Sequence, residues 1–366
     1  MLSDSTTVTP GGTVFRRLAR ADGRVADLRS PLSVPGLSLR TVINRTYTQR
    51  MTSRVPAVLA LAAGSVLVLA GCATATSPAA SSGDATPLKV VASTNVYGSI
   101  AEAIGGKDVE VTSIVHSLSQ DPHSYEASAR DQLTISDADL ILENGAGYDS
   151  FLDSLVEASG AKAPVLTAVE YSHAYEEADP DHADDHGHGH IEGFNEHVWY
   201  DPHTMEDFIT GIAKELGTLD AAKAETFTKN ADSLIKGISG LETSLDGLKA
   251  KYAGEKVFVT EPVPLYLAAA AGLENATPEA FSEAVEEGQD VPPATLLEAT
   301  KILESGDVRT VIVNAQTGGA ETTEVEKLAK ANDIPVLKFT ELVPDGLTYV
   351  EWMQQNIDEL AGTLTR

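Results

Sequence analysis

Six of the chain's nine histidines lie within 22 residues, HADDHGHGHIEGFNEHVWYDPH, from His182 to His203. Imidazoles interleaved with carboxylates are donors for a borderline divalent cation such as Zn²⁺ or Mn²⁺. The stretch alone is equally consistent with one site, with a loose histidine tract on a loop, or with both. Its meaning depends on partners elsewhere. No His-Glu-x-x-His or Cys-x-x-Cys cluster is present, so a site would have to be assembled from distant segments.

In open α/β sheets, ligands bind beyond the carboxyl ends of the strands. After the apolar run DVEVTSIV comes HSLSQDPHSYE, with His116 and His123. After KVFVT comes Glu261, and after PVLKFT comes Glu341. EHVWYDPH, with His197 and His203, precedes a helical pattern. Two histidines from one part of the chain and two glutamates from another would suit one cation in a cleft. Each also has a plainer reading. His123 could cap a helix, His197 could belong to the loop, and Glu261 before Pro262 and Glu341 at a strand end could be solvated charges. His203 falls in a first helical turn, and His116 in a loop.

These residues are separated by an alternation of strand and helix patterns. LKVVAST, DVEVTSIV, ADLILEN and APVLTAV read as strands, with helices at VYGSIAEAIGG, near ASARDQLTIS and at YDSFLDSLVEAS. Residues 171–200 read as a long polar loop, and helical signals resume at MEDFITGIAKEL. Phe227, Leu234, Ile238, Leu241, Leu245, Leu248 and Tyr252 then recur mostly at three- and four-residue steps without proline, which predicts one long helix. A second unit follows, with strands at EKVFVT, VRTVIVN and IPVLKFT. Its helices fall at PLYLAAAAG, PPATLLEATKILES, EVEKLAKAND and YVEWMQQNIDELAGTL. The expectation is an α/β protein of two lobes bridged by a single long helix, with a metal site in the interlobe cleft. Residues 88–221 form the first lobe, including a His-rich loop at 173–196; residues 222–253 form the link and 254–366 the second lobe. No internal sequence repeat is evident.

The segments STNVYG, QDPHSYEASARDQLTISDADLILENGAGYD, EHVWYDP after the His-rich tract, VTEPVPLYLAAAAGL, and VIVNAQT with IPVLKFTELVPDGLTYVEWM resemble the metal-binding lipoproteins of zinc/manganese ABC importers. The likeness covers roughly residues 88–362, with the motifs in order. It implies two α/β lobes, a rigid linking helix, and a divalent cation between the lobes. The family's histidine ligands fall on His123 and His197. Its third position, often histidine, is Glu261 here, and its fourth, in many members aspartate, is Glu341. More carboxylate than in histidine-rich members leaves zinc and manganese both open, with zinc preferred. Asn314 and Gln316, in the NAQT motif, are expected to hydrogen-bond a ligand carboxylate, simple turn chemistry being the alternative. Trp199 is expected to wall the cleft. The partners implied are an ABC permease and its ATPase, and the chain is expected to act as a monomer.

The opening stretch now divides. His197 goes to the structured site. His182, His186, His188 and His190, among Asp and Gly, cannot pack a core and form an accessory loop that gathers zinc, or else a solvated acidic loop.

The net charge of −28 argues against a nucleic-acid partner. Residues 1–71 nevertheless hold nine Arg, no Lys and three Asp. The apolar run Val55–Leu69 follows Arg54 and ends in Leu-Ala-Gly-Cys, which resembles a bacterial lipobox. The run is too short to span a bilayer, which takes about 20 residues. Residues 51–71 thus read as a lipoprotein signal peptide and Cys72 as the lipidated residue. Residues 72–87 read as a flexible tether, and residues 1–50 as a non-native or disordered extension. The expected location is extracytoplasmic, anchored by lipid to the bacterial membrane. Neither GxxxxGK[ST], GxSxG nor HExxH occurs, and four protein ligands would leave catalytic zinc no open position. The chain is therefore read as a binding protein and not an enzyme, with a metal-dependent adhesin or a metallohydrolase as the other readings. Metal affinity should fall as pH drops through the histidine range.

Overall fold

In the computed structural model, which describes residues 86–178 and 193–365, eight strands form two separate four-stranded sheets in which every pairing is parallel. The first contains β1 (Leu88–Thr94), β2 (Val109–Val115), β3 (Leu140–Glu143) and β4 (Val165–Thr167) in the order β2-β1-β3-β4. The second contains β5 (Lys256–Val259), β6 (Glu274–Asn275), β7 (Val308–Asn314) and β8 (Val336–Phe339) in the order β6-β5-β7-β8. Central strands buried on both faces explain the near-continuous apolar runs of β1, β3, β5 and β7. Without any sequence repeat, the two halves share one strand order.

In the first half the helices are α1 (Asn95–Gly105), α2 (Ala129–Ser136), α3 (Ser150–Ser159), α4 (His173–Ala178) and α5 (Pro202–Leu219). A capping box of Ser128 and Asp131 starts α2. Asp201 caps α5 by accepting from the His203 and Thr204 backbone N–H groups, with Pro202 at the first helical position. Close packing of α1 on β2 requires Gly98, where an added Cβ would stand 2.1 Å from Ser113 Oγ. The region read as a continuous polar loop contains α4 and a 3-10 turn over Val198–Tyr200.

The long helix is α6 (Ala224–Tyr252). Its 29 residues span about 43 Å at about 1.5 Å per residue. Phe227, Ala231, Ile238, Leu241, Leu245 and Leu248 are buried along one stripe. It packs on α1 and α5 of the first half and, in the second half, on α7 (Leu265–Ala270) and α11 (Tyr349–Leu364). One apolar core containing this stripe extends into both halves. The far face of each sheet has a smaller core of its own.

The remaining helices are α8 (Glu279–Glu286), α9 (Pro293–Glu304) and α10 (Ala320–Ala331). Neither α8 nor the two-residue edge strand β6 is among the elements expected from the sequence. Two turns of helix and one rung of ladder are too short to build a periodicity.

Hydrogen bonds tie the halves on both sides of the cleft. Asn95 exchanges side-chain bonds with the backbone of Val343, at 2.8 and 3.0 Å. Tyr200 OH donates to Thr340 O (2.7 Å) and Tyr349 OH to Trp199 O (2.6 Å). Tyr266 OH donates to Asn195 O (2.7 Å), and Asn195 Nδ2 to Pro262 O (3.1 Å).

Residues 1–50, the signal segment 51–71, Cys72 and most of the tether lie outside the described residues, as do His182, His186, His188 and His190. No described helix is long and apolar enough to cross a membrane.

Candidate metal site

The imidazoles come from the first half. His123 sits in a turn beyond β2, its backbone N–H donating to Asp121 Oδ1 at 3.0 Å. It does not cap α2, since Ser128 holds that position. His197 is fully buried and stands at the edge of the 3-10 turn. Its segment is held by Asn144, whose Nδ2 donates to Glu196 O at 3.0 Å while its Oδ1 accepts from Tyr97 OH. Asn195 Oδ1 lies 2.8 Å from His197 Nδ1. Because Asn195 Nδ2 is already committed to Pro262 O, Oδ1 is the acceptor, and His197 carries its proton on Nδ1. That leaves Nε2 with the lone pair a metal ion could take, the arrangement in which a ring's outer hydrogen bond fixes which nitrogen is available as a ligand. The two imidazole centroids are 5.9 Å apart. Tyr148 meets His123 edge-on at 4.7 Å, and the buried Trp199 lies 5.1 Å from His197, walling the cleft as expected.

The carboxylates come from the second half. Because β7 lies between β5 and β8, the residues at or just past their carboxyl ends are neighbours. Glu261 follows β5, Asn314 ends β7 and Glu341 follows β8. The Asn314 amide gives one N–H to each acid, 2.7 Å to Glu261 Oε2 and 2.6 Å to Glu341 Oε1. Its Oδ1 accepts from Gln316 N at 3.0 Å, which fixes the amide's orientation. Thr317 donates its hydroxyl to Glu261 Oε1. Tyr148 reaches from the first half to donate to Glu341 Oε2 at 3.0 Å. His123 Nε2 is 3.9 Å from that same oxygen.

Asn314 therefore behaves as expected, and Gln316 differs. Gln316 Oε1 accepts from the backbone N–H groups of Glu341 and Leu342, and its Nε2 donates to Gln120 O. It holds the main chain that carries Glu341 and makes no bond to the carboxylate. His116 stays in its loop, with its Nδ1 3.3 Å from Ile114 O. His203 lies on the surface outside the cluster.

Two further acids were not anticipated. Ligand-capable atoms of His123, Glu196, His197 and Glu286 all lie within 4.8 Å of one another. Glu286, the last residue of α8, places Oε1 3.6 Å from His197 Nε2 with its side chain 8% exposed. Neither Glu261 nor Glu341 belongs to that tight group: Glu341 meets it at His123, 3.9 Å away, and Glu261 is joined to Glu341 through Asn314. Nothing local separates Glu286 from Glu283 or Glu287. Glu196 directly precedes His197 in EHVWYDP, and that adjacency to a candidate ligand is the one signal the sequence carries for it.

Four glutamates in one buried cleft cannot all ionise cheaply. Burial pushes the Glu286 carboxyl up to about 10, and repulsion from Glu196, Glu261 and Glu341 adds to it. Burial likewise pushes Glu341 up to about 8, against the Asn314 hydrogen bond and with help from Glu261 and Asp121. Glu261 is raised by burial and partly restored by Thr317 and Asn314. A divalent cation among these groups would let the acids ionise, and the donor set of imidazole nitrogens and carboxylate oxygens fits one.

The family model of zinc-uptake complex component A, periplasmic (ZnuA) matches residues 90–363. The chain belongs to this family. Among relatives of the ZnuA family, the manganese ABC transporter substrate-binding lipoprotein PsaA of Streptococcus mitis is 27% identical over 320 residues, 82% of this chain and 96% of the relative. The zinc-bound form of an AdcAII variant from Streptococcus pneumoniae is similar in fold, with a TM-score of 0.62 at 24% identity, covering 76% of this chain and 98% of that one. A laminin-binding adhesin, Lmb of Streptococcus agalactiae, has a TM-score of 0.60 at 23% identity over 76% of this chain and 99% of its own. The paired parallel sheets described above are the fold of these proteins.

Proposed function

We propose that this protein is the extracytoplasmic substrate-binding component of a metal ABC importer, capturing one divalent cation between its lobes for delivery to a permease and its ATPase. The observation that carries the reading is the meeting of two imidazoles from one sheet with buried acids from the other. His123, His197, Glu261 and Glu341 are the ligands in this reading, with Glu286 and Glu196 as further carboxylates in reach. Asn314 and Thr317 orient the acids, and Asn195 orients His197.

Zinc is the preferred cargo, because two imidazole nitrogens among the donors suit a borderline cation. The oxygen-rich surroundings favour manganese as the second reading, and the relatives' names divide the same way. The chain works as a monomer anchored through a lipid on Cys72. It carries out no catalysis in this reading, since four protein ligands would take the position that a catalytic ion keeps open for water. The hydrogen bonds across the cleft and the α6 stripe limit the lobes to small rocking. The histidines at 182, 186, 188 and 190, outside the described residues, gather zinc for the site.

Competition calorimetry with zinc and manganese in parallel, on the chain lacking residues 1–71, tests the reading. Tight one-to-one binding of one metal, lost in His197→Ala, is the expected outcome. No tight site for either metal would overturn it.

A further inference from the structure

Three of the five histidines among the described residues take no part in the cleft, and two of these, His173 and His203, lie together. His173 opens α4, and His203 lies in the first turn of α5. Thirty residues separate them in sequence, yet their rings are stacked 5.6 Å apart at 28°. Asp207 stands one turn beyond His203 on the same face of α5, the spacing that brings side chains together on a helix. Ligand-capable atoms of His173, His203 and Asp207 all lie within 4.8 Å of one another, and all three residues are exposed.

The backbones that carry them are fixed. Asp201 and Pro202 set the start of α5. Ser172, just before His173, is buried, with its N–H bonded to Val169 O at 3.0 Å and its carbonyl accepting from Tyr175 N at 3.1 Å. Bond lengths to zinc of about 2.0–2.1 Å place two ligand atoms at most about 4 Å apart across the ion. Small rotamer changes of exposed side chains therefore close the gap. The surroundings are acidic. Glu206 and Glu242 form a second ligand-capable group with His203, and Glu242 is held above the ordinary carboxylate range by burial and by Glu206. An open groove of about 510 Å³, bordered by His173 and Asp207, gives room for water ligands.

We infer that His173, His203 and Asp207 form a second, surface site for a divalent cation of the zinc class, separate from the cleft and completed by water. Two imidazoles distinguish it from an ordinary acidic patch, because nitrogen donors select borderline ions over calcium or magnesium. It shares no ligand with the cleft, and its existence does not depend on the cleft's function.

The test counts zinc bound per full chain by equilibrium dialysis and metal analysis, in wild type, His173→Ala, His203→Ala and His197→Ala. Each of the first two variants is expected to bind one zinc fewer than wild type. Each should keep its tight cleft site and its melting temperature in chelator. His197→Ala should retain the surface zinc while losing the cleft ion, so failure of one site is distinguishable from failure of the other. Crystals soaked in zinc should show an anomalous peak between His173 and His203. An unchanged zinc count in both surface variants, or no peak there, would overturn the inference.

Discussion

The two sheets have the same strand order and opposite chemistry. In each, the third strand in sequence ends at an asparagine on the cleft side, Asn144 after β3 and Asn314 at the end of β7. Asn144 spends its amide on main chain, donating to Glu196 O and Gly145 O. Asn314 spends its amide on two side-chain acids. The first half thus fixes a backbone and lets an imidazole project from it. The second fixes the carboxylates themselves. One fold position serves positioning in both lobes, and what it positions is decided by the residues that fold back onto it.

The largest expected effect comes from removing a donor. His197→Ala should weaken metal binding by at least about 100-fold, since loss of a supporting partner alone costs about 10–100-fold. Competition titration would reveal it, and near-wild-type affinity would remove the imidazole half of the comparison.

The two asparagines should then separate. Asn314→Ala should cost about 10–100-fold in affinity, because both acids lose their orientation. Asn144→Ala should instead cost about 1–3 kcal/mol of stability by leaving buried groups unsatisfied. Urea unfolding in chelator, read beside metal titration, would show whether the roles divide this way or both variants lose metal alike.

A pH series sharpens the acid half. Glu341 is held up to about 8 by burial, so at neutral pH a metal ion must displace its proton. Apparent affinity should rise with pH until Glu341 and the histidines are deprotonated, with proton release on binding measurable by calorimetry in buffers of different ionisation enthalpy. No dependence on buffer would count against these acids as ligands.

The smallest effect belongs to the first sheet. Burial, with Asp149 adding repulsion and the Thr167 bond opposing it, pushes Glu143 from its ordinary 4.5 up to about 8. Because the folded value lies above the unfolded one, its contribution is fully present below 4.5 and is lost as pH rises through about 8. Glu143→Gln should therefore flatten the decline of melting temperature across that window. An unchanged slope would assign the decline to other groups.

Much of this architecture was legible along the chain. β1, β7 and α11 have the bounds their apolar patterns predict, and α6 begins within two residues of its expected start. His123, Glu261 and Glu341 are picked out as candidates by one rule, that polar residues beyond strand ends face the cleft. That rule works because a parallel sheet points all its carboxyl ends one way. α8 escaped because two turns with buried Phe281 and Ser282 carry too few apolar positions to establish a period. Glu286 escaped with it, being one of several similar glutamates until packing placed it beside His197. Gln316 was assigned to the right neighbourhood and the wrong partner, since amide reach does not reveal which acceptor it meets.

The sequence by itself determined the longer elements, the polar residues at their ends and the family, because these depend on local periodicity and on motifs read in order. Tertiary structure alone decided which donors meet. His173 and His203 pair across thirty residues, Glu286 crosses to His197, and a single amide joins Glu261 to Glu341. Such pairings depend on how helices and strand ends pack against one another in space, and spacing along the chain carries no record of that distance.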